Sequence, residues 1–276
     1  MSRTGRAVGT SALLVLLAFG SSGCFDHAGT GVAAPQVSQV PFPNADDGVT
    51  PQLGLGARSR LHMPMSVGDQ WEYALHVRFR SEDPYSGHAT TVTVEHRGVS
   101  EIVSAGDSRG EHYSVLRRIR FYPLVATSDE LAPLRVGEAG VFFLPLPYLD
   151  PNAPPPPGPA EPGAEPGESA TLRFPLTLGA RWRAPFAYEF RGQGLATVTS
   201  LDRVRVPAGV FIAWRVEIGL DGGDPADRHT YWYSDAGLVR ESHRTVERLY
   251  DSQGFRRGQN ISEWVTEWTA FRPAAP

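Results

Sequence analysis

Residues 71–79 read Trp-Glu-Tyr-Ala-Leu-His-Val-Arg-Phe. Every odd position, from Trp71 through Tyr73, Leu75 and Val77 to Phe79, is large and apolar, while Glu72, His76 and Arg78 fall between them. A period of two is the mark of a strand with one buried face. The pattern returns at residues 182–190, where Trp182, Ala184, Phe186, Tyr188 and Phe190 hold the matching places. The lead-ins match as well: Pro64, Gly68 and Trp71 in the first copy have the spacing of Pro175, Gly179 and Trp182 in the second. The chain therefore reads as two related β-rich halves with a common opening.

Further strands follow from the same rule. Thr90–Arg97 and Val99–Ser104 are rich in Thr and Val, and His112–Tyr122 places Tyr113, Val115, Ile119 and Phe121 on one face. In the second half, Leu195–Val206 holds two strands, closed by a tight turn at Pro207-Ala208-Gly209. Phe211–Leu220 is expected to bury Ile212, Trp214, Val216, Ile218 and Leu220 and to expose Ala213, Arg215 and Glu217. Ser234–Gly237 reads as a hairpin turn, and Leu238–Leu249 as a charge-rich strand exposed on one side. Ile261–Phe271 is ambiguous: Trp264, Trp268 and Phe271 fit helical spacing, but Val265, Thr266 and Thr269 favour a strand.

About a dozen short strands with turn signals between them predict a mainly β protein. The expected architecture is an antiparallel, strongly curved sheet, a half-barrel or a sandwich, built from two related halves with little helix. The expected organisation is a leader at 1–23, a tether at 24–60, a first β half at 61–149, a Pro/Gly-rich loop at 150–170 and a second β half at 171–272. The loop carries Pro154-Pro155-Pro156-Pro157, which a packed strand or helix does not accommodate.

Composition narrows the function. The chain has 276 residues and is 41% hydrophobic, enough for a sizeable core. Its net charge is −4, and removing Arg3 and Arg6 with the leader takes it to −6. That balance excludes the concentrated basic face that nucleic acid requires.

Arg3 and Arg6 precede an apolar run from Ala7 to Phe19, too short for a membrane span. Gly20-Ser21-Ser22-Gly23 and Cys24, the single cysteine, follow. Ser22-Gly23-Cys24 resembles the lipobox of bacterial lipoproteins, with Ser21 where Leu is usual. The resemblance implies cleavage before Cys24 and its acylation by palmitate-type chains. A lone thiol in an oxidising envelope would otherwise be a liability. Two or more acyl chains hold a protein stably on a membrane. Phe25, in place of Asp, implies sorting to the outer membrane by resemblance to enterobacterial lipoproteins.

Val206-Pro207-Ala208-Gly209-Val210-Phe211 and Tyr231-Trp232-Tyr233-Ser234-Asp235-Ala236-Gly237-Leu238-Val239, together with the Pro175–Trp182 opening, resemble a set of uncharacterised bacterial envelope lipoproteins. The likeness covers residues 172–245, and residues 63–122 through the opening motif alone. Such sheets look broadly like the half-barrel of lipoprotein carriers of the LolA/LolB type. The resemblance implies a shape and a compartment and no reaction.

The sequence carries no Gly-x-Ser-x-Gly elbow, no His-x-His or His-Glu-x-x-His pattern, no cysteine pair and no phosphate-binding Gly loop. Asp221, Asp224 and Asp227 lack the closing Glu of a calcium loop. No enzyme activity, metal or cofactor is expected. The remaining candidate is the aromatic face: Trp71, Leu75, Phe79, Trp182, Phe186, Phe190 and Trp214 either fill the core or line a concavity for a hydrophobic ligand. Two functions follow as expectations. One is a non-enzymatic binding or assembly module anchored through Cys24, with an envelope protein as partner. The other is a carrier of a lipid or similar hydrophobic molecule.

Overall fold

A computed structural model describes residues 42–44, 46–51, 60–61, 63–82, 89–108, 111–121, 128–143, 169–185, 193–220 and 226–274. All belong to one compact unit, Val37–Pro276. Thirteen strands account for most of them: β1 (Val49–Pro51), β2 (Gln70–Glu82), β3 (Ala89–Ser108), β4 (Glu111–Phe121), β5 (Ser128–Gly137), β6 (Gly140–Phe143), β7 (Ser169–Arg173), β8 (Arg181–Pro185), β9 (Gln193–Val206), β10 (Gly209–Leu220), β11 (Arg228–Ser234), β12 (Gly237–Tyr250) and β13 (Arg256–Arg272). They form a single sheet in the order β1-β9-β10-β11-β12-β13-β2-β3-β4-β5-β6-β7, with β8 also on β9. Neighbours are antiparallel throughout. The sequence-distant strands β13 and β2 pair in the middle, from Gln259 opposite Glu82 to Arg272 opposite Gln70. The ambiguous C-terminal segment is therefore a strand.

The two opening motifs have one geometry. Gly68 and Gly179 both take positive φ, 94° and 80°, in the turn before the Trp. Gly68 N donates to Ile102 O and Ile102 N to Asp69 O; Gly179 N donates to Val198 O and Val198 N to Ala180 O. Each turn is thereby bonded to the strand that its Trp strand pairs with, β3 in one case and β9 in the other. Both indoles are buried and donate to a backbone carbonyl, Trp71 to Ala236 O at 3.3 Å and Trp182 to Ala170 O at 3.1 Å.

The sheet curls on itself. Val141 and Phe142 of β6 and Ala170 and Leu172 of β7 share one core with Trp182, Val198, Trp214, Val216, Tyr231 and Tyr233 from the other end of the strand order. A second cluster holds Trp71, Ile102, Val204, Val206, Ala213, Trp232, Val239 and Trp268. It forms where the β9–β10 turn packs on β13: Ala208 N donates to Trp268 O, and the Phe211 and Trp268 rings meet at 5.4 Å. β11 serves both cores, Tyr231 and Tyr233 on one side and Trp232 on the other, so its six residues after Arg228 are all buried.

Three expectations are corrected. In β10, Ile212 is 44% exposed and Ala213 fully buried, the reverse of the expected assignment. Trp214, Val216 and Ile218 keep their expected places in the first core, but near the turn the other face of β10 is covered as well, by the second core, which takes Ala213 and Phe211. The first half of β12 is not exposed on one side: Val239, Arg240, Ser242 and His243 are all buried. Val239 packs in the second core, Arg240 lies under the backbone of Asn44 and Asp47, and His243 is held against Tyr231 and Trp264. Within the span read as a tether, Val49–Pro51 pairs with β9, so that part is built into the sheet.

Candidate functional site

Cross-strand partners in an antiparallel sheet point to the same face. Pairing therefore brings Tyr73 and Leu75 of β2 into line with Thr266 of β13, and Thr266 with Glu241 of β12. With Ser100, Arg118 and Leu238 they line a small cleft of about 40 Å³. An adjoining cleft of about 90 Å³ shares Tyr73, Arg118 and Leu238 and adds Met63, Met65, Trp71 and Leu116. The first mixes polar groups, Tyr73, Ser100, Arg118, Glu241 and Thr266, with the apolar Leu75, Ile119 and Leu238. Thr266 Oγ1 donates to Glu241 Oε1 at 2.9 Å. The Tyr73 phenol is pushed up to about 12, first by burial, with the nearby Glu241 carboxylate adding and the Arg118 guanidinium opposing. Tyr73 is thus a neutral hydroxyl at any physiological pH, able to donate and accept but not to act as a base. A volume of this size holds a few waters. Small-molecule sites run to several hundred Å³.

The expected site residues are dispersed. Trp71 and Leu75 line the clefts, one each. Phe79 lies further along β2, half-buried. Trp182 and Trp214 are buried in the first core, away from Trp71 in the second. Cys24, Phe186 and Phe190 lie outside the described residues. Sequence reasoning did not single out Arg118, Glu241 or Thr266. Each comes from a different strand, and no spacing along the chain links them.

A second constellation involves the segment before β1. Arg240 is 1% exposed. Its guanidinium donates to Asn44 O at 2.7 Å and to Asp47 O, faces Glu267 at 3.5 Å, and lies 5.7 Å from the Trp232 ring centre. Trp232 Nε1 in turn donates to the buried Asp202 at 2.9 Å. Burial lowers the Arg240 pKa, and the carboxylates of Glu267, Asp47 and Asp46 oppose that. Arg215 pairs with Asp46 at 3.1 Å, and Arg205 N donates to Gly48 O. Arg78 lies 4.3 Å over the Phe42 ring. The described residues between 42 and 51 thus run across the sheet from β9 to β2, held by Arg215 of β10, Arg240 of β12 and Arg78 of β2.

Beside the first cleft His229 and His243 face each other from β11 and β12, ring centres 4.7 Å apart. Tyr231 meets His243 edge-on and Trp264 stacks on it. The His229 pKa is lowered to about 3, mainly by burial and then by His243, with Glu241 opposing. Among the described residues no three His, Cys, Asp or Glu side chains converge as metal ligands. Of the weak calcium-loop pattern, Asp227 accepts from Val246 N at 2.8 Å, and Asp221 and Asp224 lie outside the described residues. Among the described residues no helix is long and apolar enough to cross a membrane.

No protein-family model and no curated protein matches the chain. Two solved structures align at 12% identity and a TM-score of 0.36, each over 77% of this chain: a "putative lipoprotein" from Parabacteroides distasonis, covered over 98% of its length, and a "putative exported protein" with YmcC-like fold from Bacteroides fragilis, covered over 99%. At those scores the likeness carries no argument about function.

Proposed function

We propose that this chain is a lipoprotein of the bacterial cell envelope, held on the outer membrane by acylated Cys24 and acting there as a non-enzymatic binding or assembly module. The observation that carries the reading is the leader: two arginines, a short apolar run and small residues ending on the only cysteine of the chain. The docked segment 42–51 supports it, because a chain pulled from its N-terminus must transmit that load into the sheet rather than peel a free end. Mass spectrometry of the mature chain tests it. The expected result is a chain beginning at Cys24 and heavier by its acyl groups, and a Cys24→Ser variant found in the soluble fraction. An unmodified Cys24 refutes it.

The carrier reading is supported by the apolar lining of the larger cleft, Met63, Met65, Trp71 and Leu116. At about 90 Å³ that cleft must open to take an acyl chain. Native mass spectrometry of the gently purified protein separates the two readings. A reproducible lipid adduct favours the carrier, and a clean apo mass favours the module.

A further inference from the structure

The β12–β13 hairpin ends in a turn that is ordered without help from the core. Asp251 N donates to Phe255 O and Gly254 N to Asp251 O. The Asp251 carboxylate accepts from Gln253 N and Phe255 N, and its other oxygen pairs with Arg257 at 2.7 Å. Nothing in this closure requires an aromatic residue, yet Tyr250 is 58% and Phe255 63% exposed. Tyr250 pairs with Arg256, and Phe255 adjoins that pair in the turn, so both exposed rings sit at the end of the ribbon. Arg248, Arg256 and Arg257 each lie within two residues of one of them along the chain, Arg256 bonded to Gln259 and Arg257 to Asp251. One exposed aromatic is ordinary surface. A bonded tip with two exposed aromatics and neighbouring arginines is the composition of a membrane–water interface contact.

The described part of the N-terminal segment advances toward the same end of the molecule. From Arg240, opposite Glu267, to Arg78, opposite Glu263, the docked segment advances four residues along β13 toward the tip. Phe42 then lies seven residues from Arg256, roughly 24 Å at about 3.4 Å per residue. Residues 25–41 separate it from Cys24 and can reach roughly 58 Å at most. The β2–β3 ends point the same way, since Glu82 pairs with Gln259.

We infer that the Tyr250–Arg257 tip is a second contact with the bilayer that holds Cys24, inserting Tyr250 and Phe255 among lipid headgroups and standing the sheet on end against the membrane. The inference rests on the lipoprotein reading, and its test is separable from it. The lipidated full-length protein carrying Phe255→Cys is labelled with an environment-sensitive fluorophore and reconstituted into phosphatidylethanolamine–phosphatidylglycerol vesicles. Acylation blocks Cys24, so the label is unique. Val210→Cys is the control: it is exposed and adjoins the turn bonded to Trp268, twelve residues up β13. The expected result is a blue shift, a severalfold rise in emission and quenching by spin-labelled lipid at position 255 only. Water-like emission at both positions overturns the inference and leaves the anchor standing. If mass spectrometry finds Cys24 unmodified, the unlipidated chain is sedimented with the same vesicles. Pelleting that Phe255→Asp abolishes upholds the tip, and no pelleting overturns it.

Discussion

Acid should weaken this fold in large part through His229. His229 is 2% exposed and packed on His243, and burial lowers its pKa from 6.5 to about 3. In the unfolded chain it takes up a proton below about pH 6.5, whereas the native state refuses that proton down to about pH 3. The unfolded state then binds more protons, so stability is complete above pH 6.5 and falls as the pH drops through the window from 6.5 to 3. The slope is about 1.4 kcal/mol per pH unit, or roughly 2 kcal/mol by pH 5 and about 5 kcal/mol over the whole window. Carboxylates also titrate in this range, so the informative quantity is a difference between variants. His229→Phe keeps a ring against His243 and removes the titration. Urea unfolding followed by tryptophan fluorescence at pH 7.5 and pH 5 should show the wild type losing about 2 kcal/mol more than His229→Phe over that interval. Whatever the ring exchange costs in packing appears at both pH values and cancels. Parallel losses in the two proteins would refute the reasoning.

Two further substitutions test other parts of the fold. Arg240→Ala leaves Glu267 and the carbonyls of Asn44 and Asp47 without their buried donor, and should cost about 3–5 kcal/mol in urea unfolding. It should also open residues 42–51 to limited proteolysis, while wild type resists there. Gly140 has φ 153°, and a Cβ would sit 2.0 Å from Leu172 O across the β6–β7 pair. Gly140→Ala should therefore lower stability by at least about 2 kcal/mol and the melting midpoint by roughly 5 °C in calorimetry.

The strands of this protein could be read from the chain because burial on one face leaves a local period. Trp71 to Phe79 shows it, and so do the two turns that set Gly209 and Gly237 in positive φ. The repeat of Pro, Gly and Trp was also legible, since identical backbone geometry at Gly68 and Gly179 demands similar residues. What failed was whatever depends on the second face of a strand. β11 and the start of β12 are covered on both sides, so Trp232 and Arg240 fall at positions that alternation assigns to solvent. The extra residue Thr199 in β9, opposite Arg215 and Val216, turns the alternation of β9 from the first core to the second, and no residue type there announces it. The cleft was illegible for a different reason. Tyr73, Arg118, Glu241 and Thr266 converge only through the pairing order, and the β13–β2 pairing that aligns two of them joins segments far apart in sequence.

That β13–β2 pairing has a consequence for the history of the chain. In the hydrogen-bonded order β1 and β8 to β12 lie on one side and β2 to β7 on the other, and the seventeen residues of β13 are the strand that pairs with both. During synthesis no complete sheet can form until β13 has left the ribosome. Contacts of such sequence separation are slow to form, because the loop between them must close first. Under the lipoprotein reading proposed above, such a delay would keep the chain threadable until its last strand had crossed a translocation channel, with the sheet closing on the far side.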